Sequence, residues 1–400
     1  MYDAIIVGAR CAGSPTAMLL ARKGYKVLLT DKATFPSDTM STHIIWQPGV
    51  ACLKRWGLLD SVIDSNCPPL SRFAFDVGDF ALIGHAPPSD GVTEFFMPRR
   101  KILDKILVDA AVDAGAEFRE GFTVQEPLRD GDRVTGIRGR TKNGSVASEE
   151  SRIVIGADGM RSFIARAVQA PEYNTRPPLA CWYYSYWSNV SIETPTFCSR
   201  NGRAFGGMPT NDGLVCIVAA WTNKEFHQFR EDIEGNFMKT LELAPDFADR
   251  VRRGKREEQF TGTADVPNFF RKPYGPGWAL VGDAGYHKDP ITAQGITDAF
   301  HSAELLVEAI DAGLSGRQAL DEALADYEQR RNEAMLPMYE HTCQLATLEP
   351  PPPELQQLFN ALRGNQAETD QFLGTISGTV SIPEFFSPEN VARIIRADVM

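Results

Sequence analysis

The sequence has few cysteines, and none of them occurs in a pair typical of a metal or redox site. Its seven cysteines are scattered and odd in number, a pattern that favours reduced thiols in a cytoplasmic protein. The six histidines are equally dispersed, and no Gly-x-Ser-x-Gly motif is present. We therefore predict neither a metal site nor a hydrolase with a nucleophile elbow.

The chain also lacks an excess of basic residues and any long hydrophobic run. Lys and Arg number 41 against 52 Asp and Glu, and the formal net charge of -11 works against binding to nucleic-acid phosphates. Nowhere do about 18 apolar residues occur together, and Asp3 and Arg10 interrupt the first apolar stretch. We predict no nucleic-acid partner, no signal peptide, no integral membrane association and hence a cytoplasmic location.

A β-α-β pattern is present at the start of the chain. Residues 2–7 form a short apolar run that ends at Gly8, and a helical segment follows from Gly13 to about Lys23. Val27–Thr30 then has the composition of a second buried strand. A right-handed crossover would make these two strands parallel neighbours.

Length and the alternation of segment types predict two domains and a helical end. The 400 residues exceed the roughly 250–300 at which one hydrophobic core stops growing. Residues 152–155 and 278–281 are apolar strands that end in glycine and a carboxylate, where ligands bind in open α/β sheets. We predict an α/β fold with a discontinuous Rossmann-like FAD-binding domain in residues 1–70, 99–178 and 272–335, an antiparallel β-sheet substrate domain in residues 71–98 and 179–271, and a helical C-terminal segment in residues 336–400.

The first motif that carries chemistry is Gly8-Ala-Arg-Cys-Ala-Gly13, with Asp31 closing the second strand. Glycines in such a loop let backbone N–H groups approach a pyrophosphate, the helix N-terminus adds partial positive charge, and the acid bonds a ribose. Arg10 replaces the usual middle glycine, so it either hinders that approach or places a guanidinium near the phosphates. A plain strand-to-helix turn is the alternative interpretation.

Two further motifs follow in order, Gly156-Ala-Asp-Gly-Met-Arg-Ser162 and Gly282-Asp-Ala-Gly-Tyr-His-Lys-Asp-Pro-Ile-Thr-Ala-Gln-Gly-Ile296. With all three motifs, the sequence resembles the FAD-dependent oxidoreductase superfamily of aromatic-ring hydroxylases (group A flavin monooxygenases), flavin-dependent halogenases and geranylgeranyl-reductase-like enzymes. The resemblance covers most of residues 1–310 and implies one non-covalently bound FAD.

The resemblance also implies which residues contact the FAD. Asp283 would bond the ribityl chain, and residues 290–296 would run along the isoalloxazine, with a helix N-terminus at Gly295 favouring the anionic reduced flavin. As alternatives, Asp158 could cap a helix, and Arg100 could be a solvated residue in a helix's first turn. The expected cofactor-binding residues are Gly8, Arg10, Ala12, Gly13, Ser14, Asp31, Lys32, Thr42, His43, Arg100, Val124, Asp158, Gly159, Asp283, Pro290, Gln294, Gly295 and Ile296.

FAD alone leaves the reaction open, because this fold hosts several chemistries. The favoured hypothesis is a monooxygenase: NAD(P)H reduces the flavin, O2 forms a C4a-hydroperoxide, and an electron-rich, aromatic small molecule takes one oxygen atom. A double-bond reductase is the alternative, because residues 289–296 resemble the flavin loop of geranylgeranyl reductases. A halogenase is less favoured, since Trp182 and Trp187 do not form the Trp-x-Trp-x-Ile-Pro signature. A protein that holds FAD without turnover is a further alternative.

The remaining expectations concern the substrate, the electron donor and the assembly. No second glycine fingerprint is present, so NAD(P)H would dock transiently as a co-substrate. No catalytic residue is assigned, although Tyr184, His43 and His287 are candidates for a base. The C-terminal segment would form a lid or a dimer surface, in a monomer or a homodimer. Expected substrate-lining residues, each of which could instead be ordinary strand core, are Tyr184, Trp187, Phe205, Met208, Pro209 and Trp221.

Overall fold

The structure is a computed structural model that describes residues 1–397, so residues 398–400 of the predicted C-terminal segment lie outside the described part. The helices are α1 (Gly13–Arg22), α2 (Gln47–Trp56), α3 (Leu59–Ile63), α4 (Arg100–Asp113), α5 (Phe163–Ala167), α6 (Phe226–Phe229), α7 (Ile233–Leu241), α8 (Pro245–Arg253), α9 (Gly295–Leu314), α10 (Leu320–Leu345), α11 (Pro353–Arg363), α12 (Gln366–Ser377), α13 (Ile382–Phe385) and α14 (Pro388–Ala397). The strands are β1 (Tyr2–Val7), β2 (Val27–Thr30), β3 (Phe73–Asp76), β4 (Ala81–Gly84), β5 (Glu117–Arg119), β6 (Phe122–Asp130), β7 (Arg133–Thr141), β8 (Val146–Gly156), β9 (Glu172–Arg176), β10 (Ala180–Ser188), β11 (Thr196–Arg200), β12 (Arg203–Pro209), β13 (Val215–Thr222), β14 (Lys255–Arg256), β15 (Thr261–Thr263), β16 (Asn268–Arg271), β17 (Tyr274–Gly275), β18 (Trp278–Leu280) and β19 (Tyr286–His287).

The first sheet has a parallel core in the order β18-β8-β1-β2-β5. Ala4 of β1 pairs with Val27 on one side and with Ile153 on the other, which confirms the predicted parallel β-α-β unit. All four residues of β2 are buried, as expected for a parallel strand covered on both faces. α1 packs against α4 and α9 beside this sheet. Because β1, β8 and β18 pair in parallel, their carboxyl ends lie together at one edge.

The second sheet combines strands from both segments of the predicted substrate domain, residues 71–98 and 179–271. Its order is β14-β10-β13-β12-β11-β3-β4, with β15 also paired to β10. β3 and β11 pair in parallel, with Ala74 opposite Thr196, whereas β10, β12 and β13 pair antiparallel. The described strands of this sheet are therefore mainly antiparallel, as expected, with one parallel pair, β3 and β11. β3 and β11 can pair in parallel because they belong to separate segments of this domain, and no hairpin between them sets their relative direction.

Both faces of the second sheet are covered. On one face, Trp187 and Trp221 form a core with Phe237 of α7 and residues of α8. On the other face, Phe73 and Met208 pack together with residues of α11, α12 and α14. Because both faces are buried, β10 reads Ala-Cys-Trp-Tyr-Tyr-Ser-Tyr-Trp-Ser, without a simple apolar-polar alternation.

The C-terminal helices are fastened to the edge of this second sheet. Asp370 of α12 accepts a hydrogen bond from the backbone N–H of His85 at 3.0 Å, and Gln366 donates to the carbonyl of Ile83 at 2.9 Å. Within residues 1–397, no helix combines the length and apolarity that a membrane crossing requires. The same residues contain no cluster of three or more His, Cys, Asp or Glu that could hold a metal ion.

Candidate functional site

A large cavity extends from the carboxyl edge of the first sheet, across one face of the second sheet, to the C-terminal helices. Its volume is about 1980 Å³, well above the roughly 300–1,000 Å³ usual for one ligand. The cavity therefore has room for a large cofactor and a second molecule. Of the predicted cofactor-binding residues, those that line it are Gly8, Arg10, Ala12, Asp31, Lys32, Thr42, Arg100, Val124, Asp158, Gly159, Asp283, Pro290, Gly295 and Ile296. Gly13, Ser14, His43 and Gln294 lie within two residues of a lining residue in sequence.

The loop between β1 and α1 is packed so tightly that glycine is required at both ends. Gly8 has a φ of 107°, and a Cβ on Gly13 would lie 1.8 Å from the carbonyl oxygen of Gly8. In the described part of the chain, no side chain caps the N-terminal N–H groups of α1. Within residues 1–397, the buried hydroxyl of Ser14 also has no hydrogen-bond partner. The N–H of Ser14 already donates to the carbonyl of Arg10 at 3.0 Å and Pro15 has no N–H, so an anion at this helix start would accept from the hydroxyl of Ser14 and from the N–H of Gly13.

Gly13→Ala will destabilise the ligand-free protein, because the added Cβ collides with backbone that cannot move without displacing β1. We expect a loss of about 2–4 kcal/mol of unfolding free energy, in the range of overpacked or strained sites. Urea unfolding measures it. Gly295→Ala is the matched control, since a Cβ there meets no atom within 4 Å. Equal stability of the two variants would contradict this interpretation of the loop.

Two arginines share one buried carboxylate beside the glycine loop. Asp104 of α4 is fully buried and accepts from Arg10 Nη1 at 2.5 Å and from Arg100 Nε at 3.0 Å. Burial by itself would lower the pKa of Arg100, but Asp104 raises it above its ordinary value. Two cations and one carboxylate leave net positive charge at the cavity wall, which suits a pyrophosphate. Sequence reasoning missed Asp104, although its i,i+4 spacing from Arg100 was a visible signal.

Two predicted acidic residues already bind backbone groups in the structure. The carboxylate of Asp31 accepts from the N–H groups of Ala9 and Ala33, both at 2.8 Å, and so fixes the glycine loop. Asp158 accepts from Ser162 Oγ at 2.5 Å and from the N–H of Phe163 at 2.6 Å, at the start of α5. Burial raises the pKa of Asp158. The capping alternative for Asp158 thus has a structural basis, and its contact with a cofactor stays a prediction.

The segment before α9 lies against the other side of the glycine loop. At Gly282, a Cβ would approach the Cβ of Ala12 to 2.6 Å, so the turn that carries Asp283 lies directly on that loop. Further along, the carbonyl of Thr292 accepts from Trp46 Nε1 at 3.0 Å. Gln294 donates to the carbonyl of Ile376 in α12 at 2.7 Å. The C-terminal segment therefore helps to hold the loop at residues 290–296.

Two buried ionisable residues that the sequence analysis left without a role lie next to that loop. Asp289 is 1% exposed, and its carboxylate accepts from the N–H of Ile291 at 3.0 Å and from Trp182 Nε1 at 3.5 Å. Burial raises the pKa of Asp289 to about 7. Lys288 forms an ion pair with Asp298 of α9. The loop thus carries one paired and one unpaired buried charge.

The predicted substrate-lining residues divide between the two faces of the second sheet. Tyr184 and Met208 line the cavity and belong to the core on its face of the sheet, whereas Phe205 borders the cavity but packs on Phe247 of α8 in the core of the opposite face. Trp187 and Trp221 instead belong to the core on the opposite face, against α7 and α8, because their strands place them on the other side of the pleat. Pro209 ends β12 and is not among the lining residues. The expectation for these three is therefore corrected.

One end of the cavity is apolar, and the sequence did not predict that its lining residues lie together. We call this end the apolar compartment, and its walls are Phe75, Val77, Phe80 and Phe197 of the sheet with Leu355, Phe359, Phe372 and Ile376 of α11 and α12. The helical spacing of Leu355 and Phe359 was visible, but it predicted packing only. Which sheet these helices cover depends on tertiary contacts.

The three candidate bases differ in their access to the cavity. Tyr184 and His287 line it, whereas His43 is fully buried beside it with Nε2 2.7 Å from the hydroxyl of Tyr186. Burial, followed by the charge of Arg100, lowers the pKa of His43 to about 3, so this imidazole is neutral at physiological pH. Burial raises the pKa of Tyr184, which keeps its phenol protonated.

Comparison with known protein families gives a match over most of the chain. The family model described as an FAD binding domain matches residues 1–341. A tryptophan 2-halogenase of Chondromyces crocatus is 25% identical over 338 residues, covering 81% of this chain but only 64% of the halogenase. A digeranylgeranylglycerophospholipid reductase of Methanocella arvoryzae is 25% identical over 347 residues, covering 84% of this chain and 83% of the reductase.

Solved structures show the same fold. The myxobacterial chondrochloren halogenase superposes with a TM-score of 0.81 at 20% identity, covering 99% of this chain and 96% of the halogenase. A Pseudomonas aeruginosa protein described as "a probable FAD-dependent monooxygenase" superposes with a TM-score of 0.71 at 19% identity, covering 93% and 98% of the two chains. At these identities the similarity establishes the architecture and not the reaction.

Proposed function

The chain belongs to the FAD-binding-domain family of flavin-dependent oxidoreductases, and on that premise we propose that it is a monooxygenase. It would use NAD(P)H and O2 to oxygenate an apolar, electron-rich and aromatic small molecule. FAD, when bound, supplies the electron transfer and the activation of O2. The residues of this chain hold the cofactor, orient the substrate and exclude water.

The described residues fit an extended dinucleotide. Asp31 would receive the adenosine ribose, while the start of α1, Ser14 and the net positive charge of the Arg10–Asp104–Arg100 cluster would bind the pyrophosphate. With its adenosine end at Asp31, the cofactor would extend past Ala12 toward Asp283 and residues 290–296. These assignments extend the three-motif hypothesis to individual atoms.

The observation that carries the proposal is the apolar compartment, which is continuous with the loop at residues 290–296. A reactive oxygen-transfer site must exclude water, and side chains without charge do so at low cost. The compartment is enclosed by aromatic rings of the sheet and by α11 and α12. It would accept an aromatic substrate with apolar substituents more readily than a charged one.

The test is NADPH-dependent oxygen uptake by the FAD-loaded protein with 4-alkylphenols of increasing chain length as probes. We expect uptake stimulated by the longer phenols and a product heavier by one oxygen atom. Tyr184→Phe should alter the apparent KM for the phenol, whereas Tyr183→Phe is the matched control, because Tyr183 packs on Phe229 on the opposite face. Oxygen uptake that no phenol stimulates, together with the absence of an oxygenated product, would contradict the proposal.

A double-bond reductase is the second candidate. It is favoured by the sequence similarity to proteins named digeranylgeranylglycerophospholipid reductase and by the long apolar compartment, which could hold a hydrocarbon chain. The two reactions differ in their need for O2. Anaerobic turnover that saturates a prenyl chain, with no oxygenation of any phenol in air, would establish the reductase instead.

A further inference from the structure

Asp289 is a buried carboxylate that no cation in the described residues 1–397 balances. In this part of the chain it forms no ion pair, and the groups that donate to its side chain are uncharged: the N–H of Ile291 at 3.0 Å, the more distant indole N–H of Trp182 at 3.5 Å and the backbone of Ala180. Its own backbone N–H donates to Asn268 Oδ1 at 2.6 Å, which fixes its position. An ionised carboxylate in such surroundings is costly, so its charge responds to any new charge placed nearby.

The titratable groups around Asp289 do not supply the missing positive charge. Its contacts on β10 and β16, Trp182 and Asn268, are uncharged. On α10 the nearby group is the thiol of Cys343, whose pKa is raised by burial. On the same loop, Lys288 is ion-paired with Asp298 of α9, and His287 Nδ1 contacts the carbonyl of Pro267. The protonation of Asp289 is therefore governed by burial and by the cavity contents.

We propose that Asp289 takes up a proton when the bound FAD is reduced and so couples the reduction potential of the flavin to pH. Two electrons and one proton convert the oxidised ring to its anionic reduced form, and a second proton passes from solvent to the Asp289 carboxylate. The proposal rests on family-level FAD binding and on the placement of the flavin ring beside residues 290–296. It does not depend on which substrate is oxidised.

The geometry behind this proposal is the common lining of one cavity. Asp289, Pro290, Gly295 and Ile296 all line the cavity whose other end carries the glycine loop. α9 begins at Gly295 without a side-chain cap, so its N–H groups favour negative charge on a ring bound there. That added charge raises the pKa of a neighbouring carboxylate, which is the reason for proton uptake on reduction.

The protonation of Asp289 beside the oxidised flavin decides in which pH range the reduction potential becomes more steeply dependent on pH. In the ligand-free protein, burial raises the pKa of Asp289 to about 7. The oxidised ring is uncharged and adds no charge to this environment, whereas the anionic reduced ring raises the pKa further. Below about pH 6 the group is protonated in both states, so one proton accompanies two electrons, about 30 mV per pH unit. Above about pH 7 a second proton is taken up and the slope approaches about 59 mV per pH unit, until the pKa of the reduced state is passed.

The experiment is a spectroscopic potentiometric titration of the FAD-loaded protein at several pH values, with dithionite as reductant. We expect the steeper slope above about pH 7 in the wild type and its loss in Asp289→Asn, whose amide oxygen can still accept the N–H of Ile291. Trp182→Phe removes a donor to the carboxylate, so the steep region should move to higher pH. It tests the proposal independently if Asp289→Asn does not fold.

Infrared difference spectroscopy of the ligand-free protein is the second readout. A carboxylic-acid carbonyl band should disappear as the pH rises through about 7 and should be absent in Asp289→Asn. Equal potential slopes in the wild type and both variants would overturn the proposal and leave the monooxygenase unaffected. A protein that binds FAD normally but oxygenates no probe would contradict the proposed function and leave the role of Asp289 intact.

Discussion

Arg100→Ala will cause a large loss of both stability and FAD affinity. Arg100 forms two-point contacts with Asp104, which is fully buried and would keep one cationic partner among residues 1–397, Arg10, beside the thiol of Cys11 at 3.4 Å. Breaking a buried pair in this way typically costs about 3–5 kcal/mol of unfolding free energy. In addition, loss of one of two cations beside the glycine loop should weaken FAD binding roughly 100-fold, or about 3 kcal/mol.

Urea unfolding of the ligand-free protein and fluorescence titration with FAD separate these two effects. Lys105→Ala is the matched control on the same helix, because Lys105 pairs with Asp109 at the surface, where both side chains are about half exposed. Such a pair contributes about 0.3–0.5 kcal/mol. If Arg100→Ala binds FAD as tightly as Lys105→Ala does, the Arg10–Asp104–Arg100 cluster is not the pyrophosphate site.

Trp46→Ala will be the most destabilising single core substitution that also disturbs the cofactor loop. Trp46 is fully buried, with ring centroids 5.2 Å from Phe73 and 5.0 Å from Phe95. Its removal should lower the unfolding free energy by about 3–5 kcal/mol. Trp46→Phe keeps most of the packing but leaves the carbonyl of Thr292 without its indole donor. This loss should lower the unfolding free energy by about 1–3 kcal/mol.

The comparison with Trp56→Phe distinguishes packing from cofactor positioning. Trp56 is also buried and packs on Phe300, but its indole N–H donates to Glu304 of α9 and not to the backbone of residues 290–296. We expect both phenylalanine variants to lose stability and Trp46→Phe alone to weaken FAD binding. Equal FAD affinities in the two variants would show that the bond to Thr292 does not position the loop.

The parts of the fold that could be predicted from the sequence are those with local rules. The strand-glycine-helix pattern of residues 2–13 and the paired strand at Val27–Thr30 follow from short-range periodicity and turn chemistry, and their parallel pairing is confirmed. The parallel pairing of β3 and β11 could not be predicted, because it joins segments more than a hundred residues apart and no turn connects them.

The candidate site divides along the same line. Residues in the motifs, such as Asp31 and Asp283, could be named from their order along the chain. The odd spacing of Tyr184 and Trp187 places them on opposite faces of a strand, but which face borders the cavity could not be predicted, because β10 is buried on both sides and its composition shows no alternation. The i,i+4 spacing of Asp104 from Arg100 was visible, but its contact with Arg10 was not. Asp289 gains its importance from burial and from a partner elsewhere in the fold, which no local pattern records.

The most direct test of the account is rapid mixing of the NADPH-reduced, FAD-loaded protein with O2, followed by flavin absorbance. If the protein is a monooxygenase that excludes water from the apolar compartment, we expect a distinct spectral intermediate between reduced and oxidised flavin. This intermediate should decay faster when 4-octylphenol is present. Direct, single-step reoxidation at the same rate with and without the phenol would contradict the monooxygenase and favour the reductase.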